Sequence, residues 1–301
     1  MPPALEVTRI AKTFGDYRAV NDLSFSVPQG SIYGLLGPNG AGKTTTIRML
    51  MDIILPDSGG VSFFGEPFRR EHLRRVGYLP EERGLYKKMK TKDMLVYLGQ
   101  IRGLERAHAV RETEVWMKRL EMTGWDDKKI EELSKGMQQK VQFAATLLHE
   151  PDLIILDEPF TGLDPVNSAM FQEVMLDLER KGKTIIFSTH RMEQVEKLCD
   201  AICLVNRGQT ILQGNLREIK RGFGSNTIMV RVEGDRDFLT ELPGIREVVS
   251  TGNFLQIKIE PGTDAQAILR AMVGRLAITH FELTEPSLEE IFIMAVGKVE
   301  A

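Results

Sequence analysis

The segment at residues 37–45 constrains this chain most, because it fits the phosphate-binding pattern G-x-x-x-x-G-K-[ST] at every fixed position. The apolar residues 32–36 before it predict a buried strand, and residues 44–51 predict a helix. A glycine-rich turn without a ligand is the alternative, which the complete pattern between a strand and a helix disfavours. The sequence therefore predicts a nucleotide-binding loop formed by Gly37, Pro38, Asn39, Gly40, Ala41, Gly42, Lys43, Thr44 and Thr45.

The chemistry of this loop follows from its residue types. Glycines let backbone N–H groups approach an anion without a Cβ clash, and the N-terminus of the following helix favours negative charge. The Lys43 ammonium is suited to reach the β- and γ-phosphates of a nucleotide, and the Thr44 hydroxyl is suited to bind Mg²⁺.

Two carboxylates follow another apolar run. Residues 153–156 are typical of a parallel strand buried on both faces, and Asp157 and Glu158 come at its end. Asp157 is suited to hold Mg²⁺ through water, and Glu158 is suited to orient or deprotonate an attacking water. For Glu158, a solvated loop position is the alternative.

Two further segments give signals that are weak in isolation. Ser134 is a suitable helix N-cap before the apolar-periodic residues 141–148, and a helix N-terminus can bind an anion. His190 ends another buried-strand pattern, at residues 183–189. Taken alone, Ser134 indicates an ordinary cap and His190 an ordinary loop residue.

The order of these segments resembles that of an ATP-binding-cassette ATPase, from about residue 4 to residue 220. After the phosphate loop come the Ser-x-Gly cap, the Asp-Glu strand, residues 162–164 and the strand that ends in His190. Five motifs in the family's order make a chance match very unlikely. The resemblance implies a P-loop ATPase core of the α/β class, with ATP and Mg²⁺ bound between two ATPase subunits arranged head to tail.

The resemblance also implies roles for individual residues. Glu158 would be the general base, and His190 would contact the γ-phosphate and the attacking water. Asp164 would take part in communication across the dimer, and Val20 would be a further ATP-binding residue. Phe14 matches the aromatic residue that stacks on adenine, with packing in the core as the alternative. Four residues would cap the γ-phosphate held by the partner subunit: Ser134, Lys135, Gly136 and Met137.

Two places depart from the usual family pattern. In the capping segment, Lys135 replaces a glycine, so its backbone should not need a positive φ, and Met137 replaces an amide. Glu81 follows the segment 76–80, where the family usually has a glutamine. A carboxylate there can still bind Mg²⁺, and it adds negative charge near the triphosphate. Together these variants resemble a prokaryotic exporter branch whose members extrude sodium, drugs or antibiotics.

Composition limits the remaining possibilities. Of the 301 residues, 42% are hydrophobic and 27% are charged, which is typical of a globular protein. Apolar runs stay far below the roughly 20 residues that span a bilayer, and the N-terminus lacks a signal-peptide pattern. A net charge of −3 gives no basic field for nucleic acid. Cys199 and Cys203 have no second pair nearby, which predicts two reduced thiols in a core.

The chain is expected to divide into two domains. Residues 1–221 would form the nucleotide-binding domain, in which antiparallel strands form a β subdomain and about residues 83–148 form a helical insert. Residues 222–226 are glycine-rich and predict a linker. Residues 227–301 alternate in the order β-α-β-β-α-β, which predicts a small α+β, ferredoxin-like domain with a regulatory or dimer-supporting role.

The sequence therefore predicts a cytoplasmic ATPase subunit of a membrane exporter, peripheral on the inner face of the membrane. Its expected partners are a separate permease chain and a second ATPase subunit, either the same chain or a different one. A soluble cassette ATPase that acts on nucleic acid or ribosomes is the main alternative, disfavoured by a short insert without heptads and by a single cassette. A nucleotide-binding regulator without turnover is disfavoured because Glu158 and His190 are both present.

Overall fold

The computed structural model describes residues 2–82, 84–223, 227–234, 236–251, 254–260 and 262–299. The chain divides into two compact units, Met1–Gly214 and Asn215–Ala301. Among the described residues, no helix combines the length and the apolar character needed to cross a membrane.

The described residues of the first unit form ten strands and six helices. The strands are β1 (Leu5–Phe14), β2 (Tyr17–Val27), β3 (Ile32–Leu36), β4 (Ser58–Phe63), β5 (Glu66–Pro67), β6 (Val76–Leu79), β7 (Leu153–Asp157), β8 (Thr184–Thr189), β9 (Ala201–Asn206) and β10 (Gln209–Asn215). The helices are α1 (Lys43–Leu50), α2 (Thr91–Ile101), α3 (Arg106–Arg119), α4 (Lys135–Leu147), α5 (Pro165–Arg180) and α6 (Met192–Leu198). Short 3₁₀ turns lie at Arg70–Arg75 and Ile130–Glu132.

A six-stranded sheet in the order β10-β9-β3-β8-β7-β6 forms the centre of this unit. The neighbours from β9 to β6 pair in parallel, and every residue of β3, β7 and β8 is buried. These near-continuous apolar runs are what a sheet covered on both faces requires. Because parallel strands end at the same edge, the phosphate loop after β3 and the carboxylates after β7 lie at one edge of the sheet.

The predicted antiparallel subdomain and helical insert are both confirmed. A second sheet has the order β2-β1-β4-β5, in which β1 pairs antiparallel with β2 and with β4. Its buried side chains share one core with β3 and α1, including Val7, Phe25 and Tyr33. Helices α2, α3 and α4 lie between β6 and β7 along the chain, where the helical periodicity predicted them.

The second unit contains α7 (Leu216–Phe223), β11 (Thr227–Glu233), β12 (Ile245–Thr251), β13 (Phe254–Ile259), α8 (Ala265–Met272), β14 (Ala277–Thr284) and α9 (Leu288–Val299). Its sheet has the order β12-β13-β11-β14 with antiparallel pairs throughout, which is the predicted ferredoxin-like arrangement. Alternate residues of β11 and β13 point into one core, including Ile228, Val230 and Ile257. The first predicted helix is instead a 3₁₀ turn at Asp237–Glu241.

The boundary between the units differs from the predicted linker at residues 222–226. Residues 222 and 223 are the end of α7, and residues 224–226 lie outside the described residues. Asn215 starts this helix, because its Oδ1 accepts hydrogen bonds from the N–H groups of Arg217 (3.0 Å) and Glu218 (3.2 Å). The division at Gly214 therefore precedes the helix, whereas the glycines at its end had suggested a later boundary.

We predict that a chain ending at Gly214 folds by itself, because it keeps the whole core of the first unit. Far-UV circular dichroism and a cooperative thermal transition would measure this. A chain ending at Asp200 is the matched control, since it lacks β9 and β10 and leaves one side of β3 unpaired. If both shortened chains lack cooperative unfolding, the proposed division into independent domains is wrong.

Candidate active site

The phosphate loop joins β3 to α1, and two of its glycines are enforced by close backbone contacts. A Cβ on Gly37 would lie 2.1 Å from the carbonyl oxygen of Val205, and a Cβ on Gly42 would lie 2.4 Å from that of Ala19. Gly42 also has a φ of 101°, a conformation that side chains rarely adopt. These contacts exclude a side chain at both glycines, and α1 starts at Lys43, within the loop segment.

Lys43 is held in the interior among oxygen atoms. Its Nζ donates to the carbonyl oxygens of Gly37 (2.8 Å) and Pro38 (3.1 Å), and it lies 3.9 Å from Glu158 Oε1. Burial lowers the pKa of Lys43, while attraction to Glu158, Asp157 and other carboxylates acts in the opposite direction. Such a cation is placed to exchange carbonyl contacts for the oxygens of an incoming phosphate.

Asp157 is fully buried at the end of β7, and hydrogen bonds reach only one of its two carboxylate oxygens among the described residues. Its Oδ1 accepts hydrogen bonds from Ser188 Oγ (2.5 Å) and Thr44 Oγ1 (3.3 Å). Its Oδ2 has no hydrogen-bond partner among the described residues. Burial raises the pKa of Asp157 despite these hydrogen bonds. A buried carboxylate oxygen without a partner, beside a hydroxyl, has the chemistry of a Mg²⁺ ligand, so these residues fit the implied metal.

Glu158 points its carboxylate at two of the other predicted residues. Its Oε1 lies 3.0 Å from His190 Nδ1 and 3.9 Å from Lys43 Nζ. Its backbone has a φ of 49°, which is uncommon for a residue with a side chain. Such conformations cost on the order of 1–3 kcal/mol and concentrate at functional sites, where the surroundings enforce them.

An open cavity lies over the loop, and eight of the predicted residues line it. Its lining residues are Tyr17, Ala19, Asn39, Gly40, Gly42, Lys43, Thr44, Thr45, Glu81 and Glu158. Glu81 reaches the cavity from the segment after β6, so the carboxylate that departs from the family pattern faces the same space as Lys43. Among the described residues, no group of three His, Cys, Asp or Glu side chains is placed to hold a metal ion.

Of the ATP-binding residues predicted outside the capping segment, five do not line this cavity: Gly37, Pro38, Ala41, Val20 and Phe14. Val20 is fully buried and lies beneath the loop, where a Cβ on Gly42 would meet it at 3.4 Å. Phe14 is 47% exposed at the end of β1, with Lys12 Nζ 5.8 Å from its ring centroid. Phe14 therefore faces solvent rather than the core, which is the condition that stacking on a base requires.

Tyr17 lines the cavity, although the sequence did not single it out. It pairs with Phe14 at the turn between β1 and β2, and its hydroxyl donates to the carbonyl oxygen of Gly40 at 3.1 Å. The signal in the sequence was a second aromatic residue on the same hairpin, three positions after Phe14. Its contact with the loop depends on tertiary structure, which the spacing alone does not give.

The predicted capping segment forms the start of α4, away from the lining of the cavity. Ser134 caps this helix, with its Oγ accepting from the Met137 N–H at 3.2 Å. Lys135 is the first helical residue and has no positive φ, as the absence of glycine there predicts. A Cβ on Gly136 would lie 3.8 Å from Leu163, so this segment adjoins the loop before Asp164.

Asp164 is the N-cap of α5. Its Oδ1 accepts from the Asn167 N–H at 2.9 Å, and its Oδ2 accepts from Asn167 Nδ2 at 2.6 Å. These bonds hold the pKa of Asp164 below its usual range. The carboxylate therefore stays ionised and keeps the start of α5 in place.

The two cysteines take no part in this site. Cys203 is buried and Cys199 is partly buried, and both are free thiols. Burial raises the pKa of both groups, that of Cys203 to about 12. Protonated thiols are poor nucleophiles, so a structural role fits them.

Comparison with known proteins gives matches for both units. Residues 20–161 match the family model described as ABC transporter, and residues 214–296 match the model described as ATP-binding protein DrrA1-3-like, C-terminal domain. The uncharacterized ABC transporter ATP-binding protein YhaQ of Bacillus subtilis is 45% identical, over 98% of this chain and 99% of its own length. Nod factor export ATP-binding protein I of Burkholderia lata is 34% identical, over 99% of each chain.

A solved structure supports the fold. The ATP binding subunit of an ABC transporter superposes with a TM-score of 0.67 and is 31% identical, covering 73% of this chain and 93% of its own.

We predict that Phe14→Leu weakens ATP binding by about 5- to 150-fold, because stacking on a base contributes roughly 1–3 kcal/mol. Affinity for inorganic tripolyphosphate, which has no base, should not change. Isothermal titration calorimetry measures both. Tyr17→Leu is the matched control on the same hairpin. If Tyr17→Leu alone gave the ATP-specific loss, the base would stack on Tyr17 and the role predicted for Phe14 would be wrong.

Proposed function

This chain belongs to the ABC transporter ATP-binding proteins, and we propose that it hydrolyses ATP to drive a separate membrane permease that exports small compounds or ions. The single observation that supports turnover best is the meeting of Lys43, Glu158 and His190 at the phosphate loop. A protein that only bound ATP would need the loop and the lysine. It would not need a carboxylate paired with a histidine beside that lysine.

The proposed reaction transfers the γ-phosphoryl group of ATP to water. The loop N–H groups and Lys43 bind the phosphates and offset their charge. Glu158 orients the attacking water and takes its proton while the oxygen bonds to phosphorus and the bond to the ADP oxygen breaks. His190, at 3.0 Å from Glu158 Oε1, would hold this carboxylate in place and contact the γ-phosphate.

Mg²⁺ is the proposed metal, held by Thr44, Asp157 and Glu81. When bound, it would neutralise negative charge on the phosphates. The unpartnered Oδ2 of Asp157 supports this assignment, because a buried carboxylate oxygen without a partner is costly unless a ligand satisfies it. Glu81 faces the same cavity and would be an additional oxygen ligand.

We further propose that the site is completed by a second ATPase subunit, either another copy or a different chain. Four residues lie at the start of α4, where the helix dipole favours an anion: Ser134, Lys135, Gly136 and Met137. Of their N–H groups, that of Met137 already donates to Ser134 Oγ. These four residues are not among the lining residues of this chain's own cavity, so their proposed ligand is the γ-phosphate bound by the partner. Asp164, close to that segment, would sense the same interface.

The export assignment is supported by relatives whose names include export, such as the Nod factor export protein. In this proposal the chain acts on the cytoplasmic face of the membrane, bound through the permease. A tagged chain should co-purify with a polytopic membrane protein from detergent-solubilised membranes of its source organism. Co-purification with ribosomes or nucleic acid instead would support the soluble alternative and contradict the transporter assignment.

Glu158→Gln should reduce ATP turnover by about 10²–10⁴-fold, because an amide cannot accept the proton of water. ATP affinity should stay near that of the unaltered chain. Phosphate release and equilibrium binding measure the two quantities. Glu82→Gln is the matched control, since this side chain is 89% exposed. Turnover by Glu158→Gln within threefold of the parent would exclude Glu158 as the base.

Glu81→Gln should strengthen ATP binding in the absence of metal and weaken the binding of Mg²⁺. It removes a negative charge beside the phosphates, so metal-free ATP should bind more tightly. It also replaces a carboxylate ligand by a weaker amide, so a higher Mg²⁺ concentration should be needed for half-maximal binding. Titrations of ATP with EDTA and of Mg²⁺ at fixed ATP measure these effects, with Glu82→Gln as control. Unchanged Mg²⁺ dependence would show that Glu81 is no ligand.

A further inference from the structure

The backbone at Glu158 needs support from its surroundings, since its φ of 49° is unfavourable for a residue with a side chain. Two hydrogen bonds provide part of this support. The Glu158 N–H donates to Ser188 Oγ at 3.0 Å, and the Glu158 carbonyl accepts from the Thr161 N–H at 3.1 Å. The first bond ties the turn to β8, and the second closes the turn on itself.

A third contact comes from helix α4. The side chain of Gln139 is almost completely buried, with 3% of its surface exposed, and its Nε2 donates to the carbonyl oxygen of Pro159 at 3.4 Å. Pro159 directly follows Glu158, so this carbonyl group lies one residue beyond Glu158 in the chain. The distance is longer than the usual 2.7–3.2 Å. Catalytic hydrogen bonds are often long before substrate binds, and tighten afterwards.

The same helix contacts a second segment of the site. Gln142 lies three residues further along α4, and its Nε2 donates to the carbonyl oxygen of Glu82 at 3.3 Å. Glu82 follows Glu81, which lines the cavity. Helix α4 also begins at the capping segment after Ser134. A small movement of this helix would therefore displace the carbonyl group of Pro159, next to Glu158, and that of Glu82, next to Glu81.

We propose that Gln139 is a positioning residue for Glu158. Its amide holds the Pro159 carbonyl, fixes the direction of the Glu158 carboxylate, and makes that direction depend on where α4 lies. Occupancy of the capping segment at the start of α4 would in this way set the orientation of the base in the same chain. The inference rests on the proposed role of Glu158 in hydrolysis. Gln139 does not line the cavity, so it acts through Glu158 and has no contact with the nucleotide there.

The test is a double-mutant cycle on the full chain that combines Gln139→Met with Glu158→Gln. Methionine matches the length of glutamine and lacks the N–H donor. The single-turnover rate of ATP hydrolysis should fall by between about 10- and 100-fold in Gln139→Met, because misplacing a reacting group by about 1 Å can cost this much. The dissociation constant for ATP should change less than about threefold, since the phosphate contacts remain.

The double variant distinguishes a role of Gln139 in positioning Glu158 from general damage to the fold. If Gln139 acts through Glu158, then adding Gln139→Met to Glu158→Gln should not lower the residual rate further. Gln142→Met is the matched control, being another buried amide on the same helix that does not contact Pro159, and its effect should multiply with that of Glu158→Gln. Gln139→Asn is the second variant if the methionine chain does not fold, since it keeps an amide but withdraws it from Pro159.

Two results would overturn the inference. One is an unchanged single-turnover rate in folded Gln139→Met or Gln139→Asn chains. The other is that Gln139→Met lowers the single-turnover rate by the same factor in the parent chain and in the Glu158→Gln chain. That result would show a merely structural role for Gln139. Failure of the proposed function itself is recognised separately, because Glu158→Gln alone would then retain the parental rate.

Discussion

The arrangement of Lys43 and the acids at the end of β7 is the constraint on which the rest of this structure depends. Asp157 has lost its contact with water entirely and Lys43 has lost most of its own, which disfavours the charged forms of these two groups. Burial accordingly lowers the pKa of Lys43 and raises that of Asp157. The chain keeps these groups together because the parallel strands β3 and β7 end at one edge of the same sheet. Burying these charged groups lowers the folding stability of this part of the chain, and it forms a site that a bound phosphate and cation would complete.

Two kinds of contact support these charged groups: backbone and sheet contacts around the loop, and side-chain contacts from helix α4. Close backbone approach at Gly37 and Gly42 fixes the loop, and Ser188 holds both Asp157 and the backbone of Glu158. Helix α4 is a different kind of support, because it belongs to the helical insert and touches the site through side-chain amides rather than through the sheet. In the proposed mechanism, this site would combine a fixed binding loop with a base, Glu158, whose orientation responds to helix α4. That combination suits an enzyme in which hydrolysis must wait for assembly.

Local sequence patterns predicted the parts of the structure that local interactions decide. The phosphate loop was identified because its glycines, lysine and threonine are adjacent in the chain, and the strands of the second unit because their apolar residues alternate. Contacts between distant segments were not accessible to the same reasoning. Tyr17 reaches Gly40 only through the register of the β1–β2 hairpin, and Gln139 reaches Pro159 only through the packing of α4. The capping Asn215 was overlooked because the glycines that end α7 suggested a linker.

The most direct test of the account is a structure of the Glu158→Gln chain with ATP and Mg²⁺. We expect the phosphates to lie on the loop between residues 37 and 45, with Lys43 Nζ contacting phosphate oxygens instead of the carbonyls of Gly37 and Pro38. The metal should be coordinated by Thr44 and reached by Asp157 Oδ2, directly or through one water. A triphosphate bound elsewhere, or an Asp157 Oδ2 that remains without a partner beside the bound nucleotide, would contradict the claim that these buried charges form a site for ATP hydrolysis.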